Sequence, residues 1–158
     1  MELIVNRFIE DAGNLTQSLG IGRVIGQIYA YLYFSPESKN LVDMQTALAV
    51  SKGSASTAVR QLEQWGAVRK VWVKGDRKDY YEAIDWLGGI IKSALMDTVE
   101  KKIDASSQML GNLARSANNM GSNGQGIFIK ERIAKLRDFQ DKLKTAWNNP
   151  EWRKFISQ

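Results

Sequence analysis

A chain of 158 residues with 44% hydrophobic content is long enough for one domain with a buried core, and its formal net charge is +5. It contains no cysteine and no histidine, which excludes a disulfide framework, a Cys/His zinc site, a thiol nucleophile and a Ser-His-Asp system. Its acidic residues are scattered among bases without a paired Asp/Glu constellation, so an enzyme, a metal site and a cofactor are not expected.

The N-terminus lacks the basic start and apolar centre of a secretion signal. Ile4, Phe8, Ala12, Leu15 and Leu19 recur at intervals of four, four, three and four, which predicts one amphipathic helix. Gly20-Ile21-Gly22 breaks it. Val24 to Phe34 reads as a second, mostly buried helix that stops before Pro36. That stretch is interrupted by Gly26 and Gln27 and is too short to span a bilayer, so no membrane partner is expected and the cytoplasm is the expected location. Gly20, Gly22 and Gly26 resemble a dinucleotide fingerprint, but their spacing is wrong and a helix precedes them. A helix–helix joint with close packing fits them better.

From Asn40 to Ala83 the chain is most informative. Asn40 is placed to cap a helix, with Asp43 completing a capping-box-like pair, and Leu41, Met44, Ala47 and Leu48 share one helical face. Ser51 is the next cap. It opens a helix over about 51–65 with an inward stripe of Ala55, Val59 and Leu62. The outer face carries Lys52, Ser54, Ser56, Thr57, Arg60 and Gln61, with no carboxylate before Glu63. A solvated helix would mix Glu with Lys for pairing along the helix; this face suits phosphates and base edges instead.

Gly66 can take the left-handed conformation that ends such a helix. Val68, Val71, Trp72 and Val73, then Tyr80 and Tyr81, favour two strands around the tip Lys74-Gly75-Asp76-Arg77-Lys78. Arg77 and Lys78 are placed to reach a minor groove or its phosphates, and Asp76 to orient an arginine. Two helices, a tight turn between them and a basic hairpin are the plan of a winged helix-turn-helix, whose second helix can enter the DNA major groove. Residues 51–82 hold seven Lys or Arg against four Asp or Glu, whereas residues 1–50 hold three against five.

Beyond the hairpin, Ile91, Leu95, Val99, Ile103, Leu110 and Leu113 mark a long helix. Asn118 to Gly126 reads as a flexible loop, and Ile129, Ile133, Leu136, Phe139, Leu143 and Trp147 stripe a final helix ending near Pro150. The bases of that last helix alternate with Glu131, Asp138 and Asp141, which indicates a solvated face. The expected class is mainly α: a single domain over 1–158, with a winged helix-turn-helix core at 20–84, a two-stranded β wing, and a helical dimerisation region at 1–19 and 85–158.

Three strings carry a resemblance: Ser51-Lys52-Gly53-Ser54-Ala55-Ser56, Leu62-Glu63-Gln64-Trp65-Gly66, and the run Val71 to Glu82 with Gly75-Asp76-Arg77-Lys78-Asp79-Tyr80-Tyr81 at its centre. Together they resemble the GbsR-type branch of the MarR-like repressors, over about Leu19 to Ala83, with the flanking helices alike only in general layout. The resemblance implies a homodimeric bacterial or archaeal regulator that binds an operator, with the outer helices making the dimer. Some relatives sense choline or related osmolyte precursors, but no ligand-binding residue can be matched here.

The expected function is therefore sequence-specific binding of double-stranded DNA by a homodimeric repressor or activator. Its DNA contacts would come from Ser51, Lys52, Ser54, Ser56, Thr57, Arg60, Lys74, Arg77 and Lys78. The competing reading is a winged-helix protein-interaction module without DNA binding. Tyr29, Tyr31, Tyr33, Phe34, Trp72, Trp86 and Trp147 could form an aromatic box for a quaternary ammonium effector, with Tyr29, Tyr33 and Trp86 as the candidates; at this spacing such residues more often form core.

Overall fold

The computed structural model describes residues 2–85, 87–119 and 124–151. Its first two helices, α1 (Glu2–Ser18) and α2 (Arg23–Tyr33), are joined by the glycine turn. Gly20 and Gly22 adopt φ of 74° and 119°, conformations that side chains resist. The Thr16 carbonyl accepts the Ile21 and Gly22 N–H groups at 2.9 and 3.2 Å, and the Thr16 hydroxyl lies 2.9 Å from the Gly22 carbonyl. A Cβ at Gly26 would lie 2.4 Å from both the Ala12 carbonyl oxygen and the Thr16 hydroxyl. These glycines thus serve a turn and a tight helix crossing, as the spacing argument favoured.

In the winged region the elements are β1 (Lys39–Asn40), α3 (Leu41–Leu48), α4 (Lys52–Gln64), β2 (Val68–Val71) and β3 (Tyr80–Ala83). The capping box forms: Asn40 Oδ1 accepts the Val42 and Asp43 N–H groups at 2.8 and 3.2 Å, and Asp43 Oδ2 accepts the Asn40 N–H at 2.9 Å. Ala49 turns the chain in the left-handed region (φ 51°) before Ser51 caps α4. Gly66 closes α4 at φ 68°, with its N–H on the Glu63 carbonyl and the Ala67 N–H on the Leu62 carbonyl, a Schellman ending.

One cluster joins these elements: Ile28 and Leu32 of α2, Met44 of α3, Ala55, Ala58, Val59 and Leu62 of α4, with Ala67, Val68, Tyr81 and Ile90. Ala47, expected on the inner face of α3, is exposed. The sheet is antiparallel in the order β1-β3-β2, with Val68 opposite Ala83 and Val71 opposite Tyr80. It therefore has a third strand beyond the expected two-stranded wing. Lys39 and Asn40 pair with Tyr81 and Tyr80, but two residues are too few to show strand periodicity.

Two compact units divide the chain, residues 1–96 and 97–158. The first includes α1, which the sequence grouped with the dimerisation helices. The long helix α5 (Leu87–Asn118) gives Ile90 and Ala94 to the buried residues of the first unit. In the second unit, Ile103, Leu110 and Ala117 of α5 are buried, and α6 (Gly124–Trp147) lies against that helix. Gln140, buried in the seam, donates to the Ile103 carbonyl at 2.9 Å and to the Ser107 hydroxyl at 3.0 Å. The expected apolar stripe of α6 is split: Ile129 and Ile133 are half-buried, whereas Leu136, Phe139 and Leu143 are exposed. Of the loop expected over Asn118 to Gly126, residues 120–123 lie outside the described residues, while Asn118 ends α5 and Gly124, Gln125 and Gly126 open α6, so helix extends into both ends of the expected loop.

The α1–α2 crossing yields a direct test. Gly26→Ala pushes a methyl into the Ala12 carbonyl, and overpacking of this kind costs about 1–3 kcal/mol. Urea denaturation should show that loss with an unchanged m-value, while Gly111→Ala, at a helical position of α5 with no positive φ and no neighbour within 4 Å, should show no loss.

Candidate nucleic-acid interface

On α4 the division between faces is clear. Ala55, Ala58, Val59 and Leu62 are buried, while Lys52, Gly53, Ser54, Thr57, Arg60 and Gln64 are exposed and Ser56 and Gln61 are half-buried. Ser51 is already engaged: its Oγ accepts the Ser54 N–H at 3.1 Å and donates to Ser54 Oγ at 2.9 Å. That places Ser51 at the helix cap, with Ser54 left as the outward hydroxyl. Arg60 Nε donates to the Ser56 carbonyl at 3.4 Å, a long contact that leaves its two terminal nitrogens as donors.

The hairpin separates its charges. At its stem Arg69 pairs with Glu82 directly across the strands, and Lys70 with Asp79 at 2.8 Å. The Asp79 hydrogen bond raises the Lys70 pKa. At its tip Gly75 takes φ 87°, and the Asp76 N–H donates to the Val73 carbonyl at 3.2 Å. Asp76 does not orient an arginine. Its Oδ1 accepts the Lys78 N–H at 3.0 Å and its Oδ2 accepts the Tyr80 hydroxyl at 2.8 Å, so its carboxylate is used to fold the tip. Among the described residues, no carboxylate lies within ion-pair distance of Lys52, Arg60, Lys74, Arg77 or Lys78.

Sequence reasoning missed two members of these surfaces. Gln64 extends the exposed line of Thr57 and Arg60 by one turn, and Trp72 stands 77% exposed where β2 runs into the wing. Helical spacing would have found the first. Strand propensity pointed to Trp72 as a strand residue without saying which face it would take.

Among the proposed effector residues, Tyr29 and Tyr33 lie with ring centroids 5.9 Å apart, and Tyr33 meets Phe34 edge-on at 5.4 Å. Tyr29 donates to the Ile84 carbonyl and Tyr33 to Asp85 Oδ1, both at 3.1 Å. Burial, then the neighbouring Tyr33 and Asp85, push the Tyr29 hydroxyl up to about 12. Trp86 lies outside the described residues. No metal-holding cluster and no helix long and apolar enough to cross a membrane occur among the described residues.

No family model matches the chain. The HTH-type transcriptional regulator MmpR5 of Mycobacterium tuberculosis is 33% identical over 140 residues, covering 88% of this chain and 78% of that protein. The chain belongs to the HTH-type transcriptional regulators. It is a DNA-binding regulator with a winged-helix fold. The provisionally named HTH-type transcriptional regulator YvaV of Bacillus subtilis is 28% identical over 82 residues, 52% of this chain and 46% of that one. A crystal structure of a transcriptional regulator shares the fold, with TM-score 0.53 at 23% identity over 95% of this chain and 97% of the other. Of the two readings of the sequence, the likeness to MmpR5 supports the DNA-binding regulator.

The wing of this regulator carries its own pH test. The Lys78 N–H and the Tyr80 hydroxyl hold the Asp76 carboxyl below its ordinary 3.8. Its contribution to wing order is therefore complete above the ordinary value and is lost as pH falls through the depressed one. Hydrogen exchange at the Lys78 amide, taken relative to its intrinsic rate, should be retarded from about pH 5 upward and lose that retardation below about pH 4, an added acceleration. Asp76→Asn should remove that added acceleration; an identical profile in the variant would show that the carboxylate does not order the tip.

Proposed function

We propose that this regulator is a MarR-like repressor of the GbsR-type branch that binds a pseudo-palindromic operator as a homodimer. The α4 helices would occupy successive major grooves and the wings the flanking backbone. The single observation that carries the DNA-facing assignment is the outer surface of α4, which bears no carboxylate before Glu63 in its last turn. Lys52, Ser54, Thr57 and Arg60 are all exposed there, and core residues hold the opposite side. Arg60 is assigned to a base edge or phosphate, Lys52 to phosphate, and Ser54, Ser56 and Thr57 to shorter polar contacts. Ser51 acts through the cap. Lys74, Arg77 and Lys78 supply the wing contacts.

The homodimer rests on apolar faces that the protomer leaves uncovered. Leu3, Ile4, Phe8 and Leu15 of α1 are exposed, Ile4 at 75%, and so are Leu136, Phe139 and Leu143 of α6, Phe139 at 65%. Isolated exposed apolar residues are ordinary, but rows of them at helical spacing are what a two-fold interface would bury. Such a dimer would set its recognition helices about 34 Å apart, one turn of B-DNA. Sedimentation at micromolar protein should give a dimer, and monomer alone with and without operator would remove this mechanism.

A small-molecule effector fits the aromatic group near the end of the wing. Tyr29, Tyr33 and Phe34 offer ring faces, and Asp85 adds a carboxylate, a combination suited to a cationic ligand. Choline titrated into the protein–operator complex should shift tryptophan fluorescence and release DNA together. No change in either at millimolar concentration would leave the input unassigned to this group.

Operator binding separates the two kinds of contact. Arg60→Ala should weaken binding by about 1–3 kcal/mol through loss of a bidentate base contact. Arg77→Ala and Lys78→Ala should each lower the slope of log K against log salt by about 0.9, because each removes one cation from phosphate. Wild-type affinity that barely responds to salt would overturn the reading.

A further inference from the structure

Gly53 occupies the first turn of α4 without any need from the fold to be glycine. It is absent from the positive-φ positions, and a Cβ built on it would meet only Ser51 Oγ, at 4.0 Å. Gly26 and Gly13 are different, since a Cβ there would come within 2.4 Å of the Ala12 carbonyl oxygen and 2.7 Å of Gln27 Cγ respectively. Glycine also lowers helix stability relative to alanine. At Gly53, then, the isolated protein bears a conformational cost with no intramolecular return.

The position on the helix indicates what the missing side chain makes room for. Gly53, Thr57, Arg60 and Gln64 follow at intervals of four, three and four, so they form one line on α4, and all four are exposed. That line lies opposite the buried Ala55, Ala58, Val59 and Leu62. Gly88 and Gly111 of α5 are equally open to a Cβ, but only Gly53 stands among Lys52, Ser54, Thr57 and Arg60 on the assigned DNA face. Its N–H belongs to the first helical turn, where no intrahelical acceptor is available.

We propose that Gly53 is the point of closest approach between α4 and the sugar–phosphate backbone of the operator, a steric gap that lets the main chain reach a phosphate oxygen. The inference rests on the assignment of α4 as the DNA-reading helix. A methyl there would hold the backbone away by roughly its own radius. It would lengthen the Gly53 N–H contact and shift Thr57 and Arg60 with it, since all lie on one rigid helix. Gly53 is thus a positioning residue for DNA binding, and its role is kept apart from stability by the sign of each effect.

The test pairs melting with anisotropy titration of a duplex selected from a random pool by the wild-type protein. Gly53→Ala should raise Tm by about 2–4 °C, because alanine favours the helix. The same variant should raise Kd by roughly tenfold or more. Gly53→Leu should bind more weakly still while melting no lower than wild type. Binding by Gly53→Ala within about twofold of wild type would overturn the proposal, as would weak binding accompanied by a lower Tm. Arg60→Ala, titrated alongside, separates the two levels. If it loses affinity while Gly53→Ala does not, only the close approach fails; if both bind as wild type, the assignment of α4 fails with it.

Discussion

Ala55, Ala58, Val59 and Leu62 are almost wholly removed from solvent against Ile28 and Leu32 of α2 and Met44 of α3, and this one-sided burial governs how α4 is displayed. Burial of a Val or Leu side chain contributes about 1.5–3 kcal/mol. The two alanines add less, but their small size lets the helices come close. Rolling α4 by one residue, 100°, would carry Val59 or Leu62 toward water and bring polar groups into an apolar cluster. Thr57, Arg60 and Gln64 face outward because the alternative is excluded by the core. The Ser51 cap and the Schellman ending at Gly66 fix where this helix starts and stops, so its length is set as firmly as its orientation.

Charge in the wing is arranged by the same economy of local contacts. Surface ion pairs such as Arg69–Glu82 and Lys70–Asp79 are screened by water and stabilise the fold little. Their larger consequence is electrostatic layout: they neutralise the stem and leave Lys74, Arg77 and Lys78 as the cations of the tip. Asp76 lies within that tip yet faces inward to the Lys78 N–H and the Tyr80 hydroxyl. A carboxylate near DNA would ordinarily repel phosphate. Here it instead holds the turn that presents two neighbouring cations.

What could be read in the sequence was chemistry confined to a few neighbouring residues. Asn40 with Asp43, Ser51 with Ser54, and Gly66 after α4 act within one turn, and each occurs as the residue types imply. The third strand was invisible because Lys39 and Asn40 pair across about forty residues of chain, and Asn40 looks only like a cap. Asp76 was misread because a carboxylate beside Arg77 suggests an ion pair, whereas the bend of the tip turns it toward Lys78 and Tyr80. On α6, hydrophobicity put Leu136, Phe139 and Leu143 on one stripe with Ile129 and Ile133, while the seam with α5 holds Gln140, satisfied by the Ile103 carbonyl and Ser107. Hydrophobicity shows that a face wants cover. It does not show whether the same chain supplies it.

That distinction bears most on α1, which is apolar on two sides. Ile9 is buried and Gly13 faces α2, with Gly26 at the crossing, while Leu3, Ile4, Phe8 and Leu15 remain exposed. The inner contact is tight enough to exclude a methyl, so α1 and α2 cannot slide past one another without breaking close packing. Helix α2 in turn packs Ile28 and Leu32 into the cluster that anchors α4. A second copy of the chain seated on the outer face of α1 would therefore press on a rigid sequence of helices ending at α4, the helix proposed to face DNA. For such a path to regulate, a ligand must favour one separation of the two recognition helices over another; equal affinity for both would shift nothing. Tyr29 and Tyr33 lie on α2 itself, in the middle of that sequence, bound to Ile84 and Asp85 just beyond the wing. A ligand that displaced either hydroxyl would act on a helix in contact with both α1 and α4.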